Sequence, residues 1–274
     1  MEQYLKALDY VLREGTDRPD RTGVGTRSVF GLQMRYDLQK GFPAVTTKKL
    51  YFSSVKAELL WFLQGSSDIN ELHALGCHIW DANAQASYWK PKAKFEGDVG
   101  RIYGVQWRDW RIAGSDKTVD QIANVIEQIK NNPYSRRLIV TSWNPGELDQ
   151  IVLPPCHMFF QFNVTQGRLS LQMYQRSADM FLGVPFNIAS YSLLLHLVAQ
   201  VTNLKVGDFV HTLGDAHIYQ NHFEQVKKQL TRKPYPLSNL WLNADIHNID
   251  QFKMEDIKLI NYQHHEAIKA PMAV

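Results

Sequence analysis

The sequence predicts a mixed α/β domain, in which a β-sheet flanked by helices packs on one buried central helix. Residues 157–164 and 168–176 alternate apolar and polar side chains around a short glycine-containing turn, as the strands of a hairpin do. Residues 188–202 are apolar nearly all round, which is typical of a helix inside a core. The chain has 274 residues, 45% of them hydrophobic, enough for one large domain or two small ones. Without a linker or an internal repeat, we expect a single domain over residues 1–274.

The first third of the chain contains helix and strand patterns joined by a charged loop. The elements expected here are helices at 2–14, 53–64 and 68–76 and a strand at 28–36. The loop at 18–26 carries Arg21 and two glycines, which suits either an ordinary connection or a backbone that approaches a ligand closely. Lys48 and Lys49 read as a solvated surface.

The middle of the chain is rich in aromatic residues. Six Trp and Tyr residues lie between positions 80 and 110, and they would either line a flat ring site or form a small core of their own. Residues 85–100 are rich in lysine and read as a surface insertion. Thr118 and Gln121 match a capping box that opens a helix. Residues 138–143 are apolar on both faces, which indicates a central strand.

Cys156 precedes the first strand of the hairpin and is a candidate nucleophile. A tight turn about Gln166 pairs residues whose numbers sum to about 332 or 333, so Cys156 is expected opposite Arg176 or Ser177. A guanidinium beside a thiol favours the reactive thiolate. The alternative is a small buried hydrophobic cysteine. His157 would point to the opposite face of the strand, so we interpret it as a positioning residue rather than a general base.

Other polar residues also stand in suggestive places. Glu58 lies beside the apolar stripe of its helix, where desolvation would raise its pKa, although an ordinary helix-edge glutamate is the commoner case. Arg136 and Arg137 enter a strand together and suit either a solvated strand end or an anion or interface site. Asn187 would cap helix 188–202 or read a ring that offers one donor and one acceptor.

The final third adds strand patterns at 208–213, 239–244 and 257–262 and ends in an apolar tail that could close over a ligand. His217 and Tyr219 lie two residues apart, so an extended backbone would point both side chains the same way.

Composition and charge exclude several classes of protein. The formal net charge is +3 without a basic stripe, which argues against a dedicated DNA-binding or membrane-surface protein. We find neither a signal peptide nor a run that approaches a membrane span, and the two cysteines suggest no disulfide framework. No histidine spacing resembles an established metal motif, so we expect no metal. A reducing, cytoplasmic setting follows.

Taken in order, the motifs resemble the thymidylate synthase family over essentially the whole chain. The matching blocks are DRTGVGT, ELLWFLQG, YSRRLIVTSWN, LPPCHMFFQF, YQRSADMFLGVPFNIASY, GDAHIY and the KAPMAV tail. Each block alone would be a weak signal, and their combination in this order is specific.

The resemblance implies a reductive methylation of dUMP to dTMP, with 5,10-methylenetetrahydrofolate as the one-carbon and hydride donor and dihydrofolate as the second product. The catalytic residues implied are Cys156, Glu58, Tyr103, His157, Arg176 and Asn187, with Cys156 adding to C6 of the uracil. The residues implied for dUMP binding are Arg21, Arg136, Arg137, Gln175, Arg176, Ser177, Asp179, Asn187, His217 and Tyr219. Those implied for folate binding are Lys48, Ile79, Trp80, Asn83, Leu153, Asp179, Gly183, Phe186 and Ala273.

The resemblance also implies a homodimer whose interface is formed by the sheet. In the family the arginine pair comes from the partner subunit, so Arg136 and Arg137 are expected to reach the partner's active site. Whether the protein binds its own messenger RNA is not readable from the sequence.

Three other readings compete. A dUMP hydroxymethylase on the same scaffold would replace the hydride step with water, and Asn187 would still favour uracil over cytosine. A nucleotide-binding or RNA-binding protein without catalysis would not need the Cys156 thiolate. An unrelated cysteine hydrolase would need a paired base and an oxyanion hole, for which we find no motif.

Overall fold

The computed structural model describes residues 1–272 and shows a mixed six-stranded sheet packed on helices. The strands are β1 (Thr16–Arg18), β2 (Thr26–Asp37), β3 (Trp110–Arg111), β4 (Thr118–Val119), β5 (Ile139–Thr141), β6 (His157–Thr165), β7 (Arg168–Asp179), β8 (Lys205–Tyr219), β9 (Asn239–Leu242) and β10 (Ile257–Ile260). The helices are α1 (Glu2–Glu14), α2 (Phe52–Gln64), α3 (Ile69–Ala74), α4 (Asp81–Ala84), α5 (Tyr103–Arg108), α6 (Gln121–Asn131), α7 (Gly183–Val201) and α8 (Phe223–Leu230). The mixed α/β single domain is therefore confirmed.

The main sheet has the order β1-β2-β8-β7-β6-β5, and β3–β4 and β9–β10 form two small antiparallel pairs. Neighbours in the main sheet are antiparallel except β7 and β8, which run parallel. Parallel neighbours need a crossover connection, and α7 supplies it. The helix packs on β7, β8 and α2 and so occupies the centre of the core.

Helix α7 is the buried central helix that the sequence predicts. Its leucines Leu193, Leu194, Leu195 and Leu197 are fully inaccessible to solvent. By length and composition it could also span a membrane, contrary to the expectation that no run approaches such a length. However, 78% of the 18-residue window tested is buried inside the fold, as in a core helix of a soluble domain.

The hairpin of β6 and β7 has the predicted register. Gln161 pairs with Gln172 and His157 with Gln175, with a bulge between His157 and Phe159. The pairing extends beyond β6, because the backbone N–H of Arg176 donates to the Cys156 carbonyl at 2.8 Å. The thiol therefore lies opposite Arg176, as expected.

Two expectations about the middle of the chain are wrong. Strand β5 lies at the sheet edge rather than at its centre, and Ile139 is 46% exposed. Thr118 belongs to β4, and the N-cap of α6 is Asp120, whose carboxylate accepts the Ala123 N–H at 2.9 Å.

Two further differences concern element ends. Helix α7 begins at Gly183, so Asn187 lies inside the helix and is not its N-cap. Pro185 in the first turn is compatible with this earlier start, because that position needs no N–H donor. Strand β1 in the loop before β2 was not foreseen.

The lysine-rich segment at 85–100 is more than a surface insertion. Trp89 is buried, and its indole N–H donates to the Asp98 carbonyl. This single aromatic side chain anchors the segment to the core. Trp89 and Trp107 are both buried, so these two aromatic residues form core and do not line a ring site.

Candidate active site

A cleft of about 570 Å³ opens at the end of the sheet where β7 and β8 terminate. It is lined by Arg18, Pro19, Asp20, Arg21, Thr22, Thr26, Ala82, Asn83, Ala86, Tyr88, Leu153, Cys156, Arg176, Ser177, Asp215, His217, Tyr219 and Met272. Eight residues of the sequence-predicted site are among them, namely Arg21, Asn83, Leu153, Cys156, Arg176, Ser177, His217 and Tyr219. Three arginines around one thiol suit an anionic substrate.

Cys156 is held at the wall of this cleft by its backbone. Its N–H donates to the Tyr103 hydroxyl at 2.8 Å, and its carbonyl accepts the Arg176 N–H at 2.8 Å. Two prolines precede it and lack N–H donors, so the chain before the thiol adds no ladder bonds and stays stiff. The sulfur is only partly exposed.

The ionisation of this thiol is opposed by burial. Desolvation raises the pKa of Cys156, while the Arg176 charge and hydrogen bonds from Ser177 and Tyr103 act in the opposite direction without cancelling it. The expectation that the guanidinium favours the thiolate agrees with the Arg176 effect, but burial outweighs that effect. Arg176 favours the anion, but the resting group is a thiol.

Arg176 is fixed by backbone groups and not by an acid. Its Nε and Nη2 atoms donate to the carbonyls of Pro155 and Pro154 at 2.8 and 2.7 Å. Its guanidinium also lies 5.4 Å from the centroid of the Trp143 ring. None of these partners neutralises the charge, so the guanidinium remains available to an anion.

The Arg21 loop is folded by its neighbour Asp20. One oxygen of Asp20 accepts the N–H of Gly25 at 2.7 Å, and the other accepts the N–H and hydroxyl of Thr22 at 2.9 and 2.6 Å. Gly25 has a φ of 79°, and a Cβ there would lie 2.9 Å from the Gln220 side chain. The loop therefore needs both the acid and the glycine to present Arg21 to the cleft.

Asp215 and Arg18 were missed by the sequence analysis. Arg18 Nη1 donates to Asp215 Oδ2 at 3.0 Å, and Asp215 Oδ1 lies 3.2 Å from His217 Nδ1. The carboxylate thus orients the His217 ring. The GDAHIY block contains this acid two residues before the histidine, on the same face of β8, which is the signal that would have found it.

Glu58 lies on α2 and is not among the residues that line the cleft. The indole N–H of Trp80 donates to Glu58 Oε1 at 2.8 Å. Burial raises the pKa of Glu58 to about 7, and the Trp80 hydrogen bond limits the rise. A carboxyl with such a pKa exchanges protons readily near neutral pH, as the position beside the apolar stripe predicts.

Behind the thiol, His157 is part of an aromatic stack. Its ring stacks on Tyr103 with centroids 4.0 Å apart, and its Nδ1 lies 2.7 Å from the Tyr191 hydroxyl. Burial lowers the pKa of His157 to about 3, so the ring is neutral. This agrees with a positioning role.

A second buried network orients Asn187. The amide nitrogen of Gln175 donates to Asn187 Oδ1 at 3.0 Å, and Gln175 Oε1 lies 2.8 Å from His211 Nε2. The Asn187 carbonyl is thereby engaged, which leaves its NH₂ group to donate. His211 was not predicted, because only the sheet pairing brings it next to Gln175.

Comparison with known families decides the identity. The sequence matches the family model for thymidylate synthase over residues 2–274. The chain belongs to the thymidylate synthase family. It is therefore a folate-dependent methyltransferase, and membership implies dUMP and methylenetetrahydrofolate as substrates.

Three of the residues expected on the folate side of a thymidylate synthase, Asp179, Gly183 and Phe186, lie at the start of α7. Asp179 accepts the N–H groups of Phe181 and Leu182 at 2.9 and 3.1 Å through one oxygen, which leaves the other oxygen for a donor. Gly183 and Phe186 are partly exposed in the first turns of the helix. At the mouth, Leu153, Tyr88 and Met272 offer apolar surface to a ring.

Lys48 differs from expectation. It is buried, its ammonium donates to the Phe181 carbonyl, and it lies 3.7 Å from the centroid of the Phe181 ring. Burial lowers the pKa of Lys48 to about 8. The prediction of a solvated lysine is therefore wrong for Lys48, and contact with a folate tail would require this ammonium to leave its present partner. Lys49 is exposed, as expected.

Four other predicted residues lie away from the cleft or outside the described residues. Arg136 and Arg137 are exposed just before β5, and they do not line the cleft. Ile79 is 39% exposed next to Trp80, which is buried. Ala273 lies outside the described residues.

Proposed function

We propose that this enzyme methylates dUMP reductively to dTMP, with 5,10-methylenetetrahydrofolate as the second substrate and Cys156 as the nucleophile. The observation that carries the proposal is the pairing of Cys156 with Arg176 at one wall of an arginine-lined cleft. A nucleotide bound there would have its phosphate on the cations and its base against the thiol.

The polar groups expected to bind such a nucleotide fall into three sets, one for the phosphate, one for the deoxyribose and one for the uracil. Arg21, Arg176 and Ser177 lie where they would hold the phosphate, because guanidinium groups bind phosphate oxygens in pairs. His217 and Tyr219 would donate to the deoxyribose. Asn187 would read the uracil edge with its NH₂ group, since its carbonyl is already bound to Gln175.

Cys156 activates a carbon that is otherwise a poor nucleophile. As the Sγ–C6 bond forms, the electrons of the C5–C6 double bond move toward C5 and O4, and the enolate makes C5 nucleophilic. After C5 has bonded to the one-carbon unit, its hydrogen leaves as a proton. Expulsion of the Cys156 thiolate restores the double bond at the end of the cycle. Before that expulsion, the bond between the one-carbon unit and the folate nitrogen breaks and leaves a methylene group on C5. A hydride from the released tetrahydrofolate reduces this methylene to the methyl group as the thiolate departs, so the folate leaves as dihydrofolate.

The proton steps fall to the groups beside the thiol. Glu58, with a pKa of about 7, would hold or release a proton at the uracil oxygen through ordered water. The Tyr103 hydroxyl accepts the Cys156 N–H at 2.8 Å, so it lies near the thiol and would serve the proton step at C5. The neutral His157 would fix the Tyr103 ring by stacking.

A homodimer would complete the site. The sheet face opposite α7 exposes apolar side chains, of which Phe30 is 83%, Ile139 46% and Phe159 39% accessible. Burial of this face against a second copy would remove apolar surface from water. Arg136 and Arg137 at the edge of that face would then enter the partner's cleft as further phosphate ligands. Both cysteines are free thiols, and we assign the enzyme to the reducing cytoplasm.

Product analysis distinguishes this reaction from the hydroxymethylation of dUMP. The purified enzyme should convert dUMP and methylenetetrahydrofolate to dTMP and dihydrofolate in equal amounts, as measured by chromatography with mass detection. Formation of 5-hydroxymethyl-dUMP together with tetrahydrofolate would instead establish the hydroxymethylase. In that case Cys156 and the phosphate site would keep their roles, and only the hydride step would be wrong.

A further inference from the structure

Two histidines and an aspartate converge outside the cleft. His73 Nε2 lies 2.6 Å from Asp81 Oδ1, and His78 Nδ1 lies 3.2 Å from Asp81 Oδ2. The ligand atoms of the three residues all lie within 4.8 Å of one another. The imidazole rings stack with centroids 4.3 Å apart. Metal ligands about 2 Å from a shared ion have comparable separations, so small rotations of these side chains would suffice.

The backbone holds the three side chains on one tight turn. His73 is in the last turn of α3, where its carbonyl accepts the Gly76 N–H at 2.8 Å. Gly76 has a φ of 78°, which reverses the chain. His78 precedes α4, and its carbonyl accepts the Asp81 N–H at 3.3 Å. The ligand geometry is therefore largely preset before any ion arrives.

We propose that His73, His78 and Asp81 form a binding site for a divalent transition-metal ion, and that Zn²⁺ is the ion that this site prefers. Two imidazoles and one carboxylate are a nitrogen-rich set that suits Zn²⁺, whereas Mg²⁺ prefers oxygen ligands in an octahedron. Water would fill the remaining position, since His78 is largely exposed. The spacing H-x₄-H-x₂-D matches no established motif, which is why the sequence predicts no metal.

The site would act on the active centre through structure and not through chemistry. Trp80 lies directly between His78 and Asp81, and its indole holds Glu58. Ile79, exposed beside it, belongs to the expected folate surface. An ion that ties both ends of this turn together would fix Trp80 in place without touching either substrate.

The test is a titration of untagged, metal-free protein with Zn²⁺ by calorimetry or against a chromophoric chelator. We expect one ion per chain and a rise in melting temperature. His73→Ala, His78→Ala and Asp81→Asn should each weaken binding by about 10-fold or more, since each removes one of three protein ligands. Excess Mg²⁺ should not compete.

Two controls separate this site from other zinc ligands. His247→Ala removes an exposed histidine elsewhere and should leave binding unchanged. Cys156→Ser tests the catalytic thiol, which could itself bind Zn²⁺, and it should also retain the ion.

Three results would overturn the proposal. They are no binding at millimolar Zn²⁺, unchanged binding in all three ligand variants, or loss of binding only in Cys156→Ser. A melting temperature that rises with Zn²⁺ equally in wild type and in His78→Ala would count against it in the same way.

Discussion

At the scale of single residues, burial sets the charge state of the groups around the thiol. Desolvation disfavours whichever form is charged, so it raises the pKa of Cys156 and Glu58 and lowers that of His157. The site at rest therefore contains a thiol, a neutral imidazole and a carboxyl poised near neutrality. Arg176 is the permanent charge among them, and the thiolate depends on it.

Glu58 should shape the pH dependence of catalysis. If the ionised carboxylate accepts a proton, kcat falls as the pH drops through about 7, the pKa of the group. Trp80→Phe removes a hydrogen bond that favours the carboxylate, so the acid limb of the profile should move to higher pH. An acid limb that stays in place in both Glu58→Gln and Trp80→Phe would contradict this role.

The same carboxyl should affect stability. Its pKa is raised in the folded state, so the folded protein binds the proton more tightly and loses stability as the pH rises from about 4.5 to about 7. Glu58→Gln lacks this loss. The difference in free energy of unfolding, Glu58→Gln minus wild type, should therefore be larger at pH 8 than at pH 5 by ~1–3 kcal/mol. Urea denaturation of both proteins at the two pH values measures this difference, and the same value at pH 5 and pH 8 would refute the prediction.

Arg21 and Arg18 offer a matched comparison at the phosphate site. Arg18 is already paired with Asp215, whereas Arg21 is presented to the cleft by its loop. Arg21→Ala should raise the Kd for dUMP by about 10- to 100-fold, the usual cost of a charge-assisted hydrogen bond. Arg18→Ala should cost clearly less. Calorimetry with dUMP decides the order, and a larger effect at Arg18 would reverse our assignment.

The sequence predicts the local part of this site and not its tertiary part. The register of one hairpin is enough to place Arg176 opposite Cys156. By contrast, Tyr103 and Trp80 come from distant segments, and their hydrogen bonds to Cys156 and Glu58 depend on packing. The net rise in the Cys156 pKa likewise could not be foreseen, because burial is a property of the whole fold.

At the scale of elements, α7 connects the parallel strands and forms the centre of the core. Leu194→Ala would empty a fully buried position and should destabilise the protein by ~2–5 kcal/mol. Tyr134→Ala, at a side chain that is 80% exposed, is the control and should change stability by less than about 0.5 kcal/mol. Equal effects in thermal or urea denaturation would show that α7 is not the core helix.

Periodicity predicts most elements well because their buried faces are apolar and their exposed faces are polar. Helices α1 and α2 and the hairpin appear where the spacing of apolar residues places them. The position of strand β5 was predicted wrongly, because apolar residues on both faces of a strand indicate a central position, whereas β5 lies at the edge of the sheet. Helix α7 begins earlier than predicted, at Gly183, and Pro185 is tolerated because it lies in the first turn.

At the scale of the whole molecule, the proposed homodimer would have active sites shared between two subunits. If Arg136 and Arg137 act in the partner's cleft, Cys156→Ser and an Arg136→Ala/Arg137→Ala double variant should complement each other. A mixed dimer has one site with both lesions and one intact site. Half of the dimers in a statistical mixture are mixed, so the mixture should recover about a quarter of wild-type activity.

Re-equilibration of the two inactive variants through mild denaturant, followed by an activity assay, measures this recovery. Each variant refolded alone is the control and should stay inactive. No recovery, in a mixture shown to contain mixed dimers, would mean that the arginines act within their own subunit. Full activity of the arginine variant alone would mean that they are not needed.

The central claim is that Cys156 opens the reaction by attack on C6, which loosens the hydrogen at C5. Its most direct test uses dUMP tritiated at C5 and methylenetetrahydrofolate with wild type, Cys156→Ala and Cys156→Ser. Wild type should release tritium to water, and both variants should release none above background while still binding dUMP. Equal tritium release from wild type and Cys156→Ala would contradict the account, because the C5 hydrogen would then leave without the thiol.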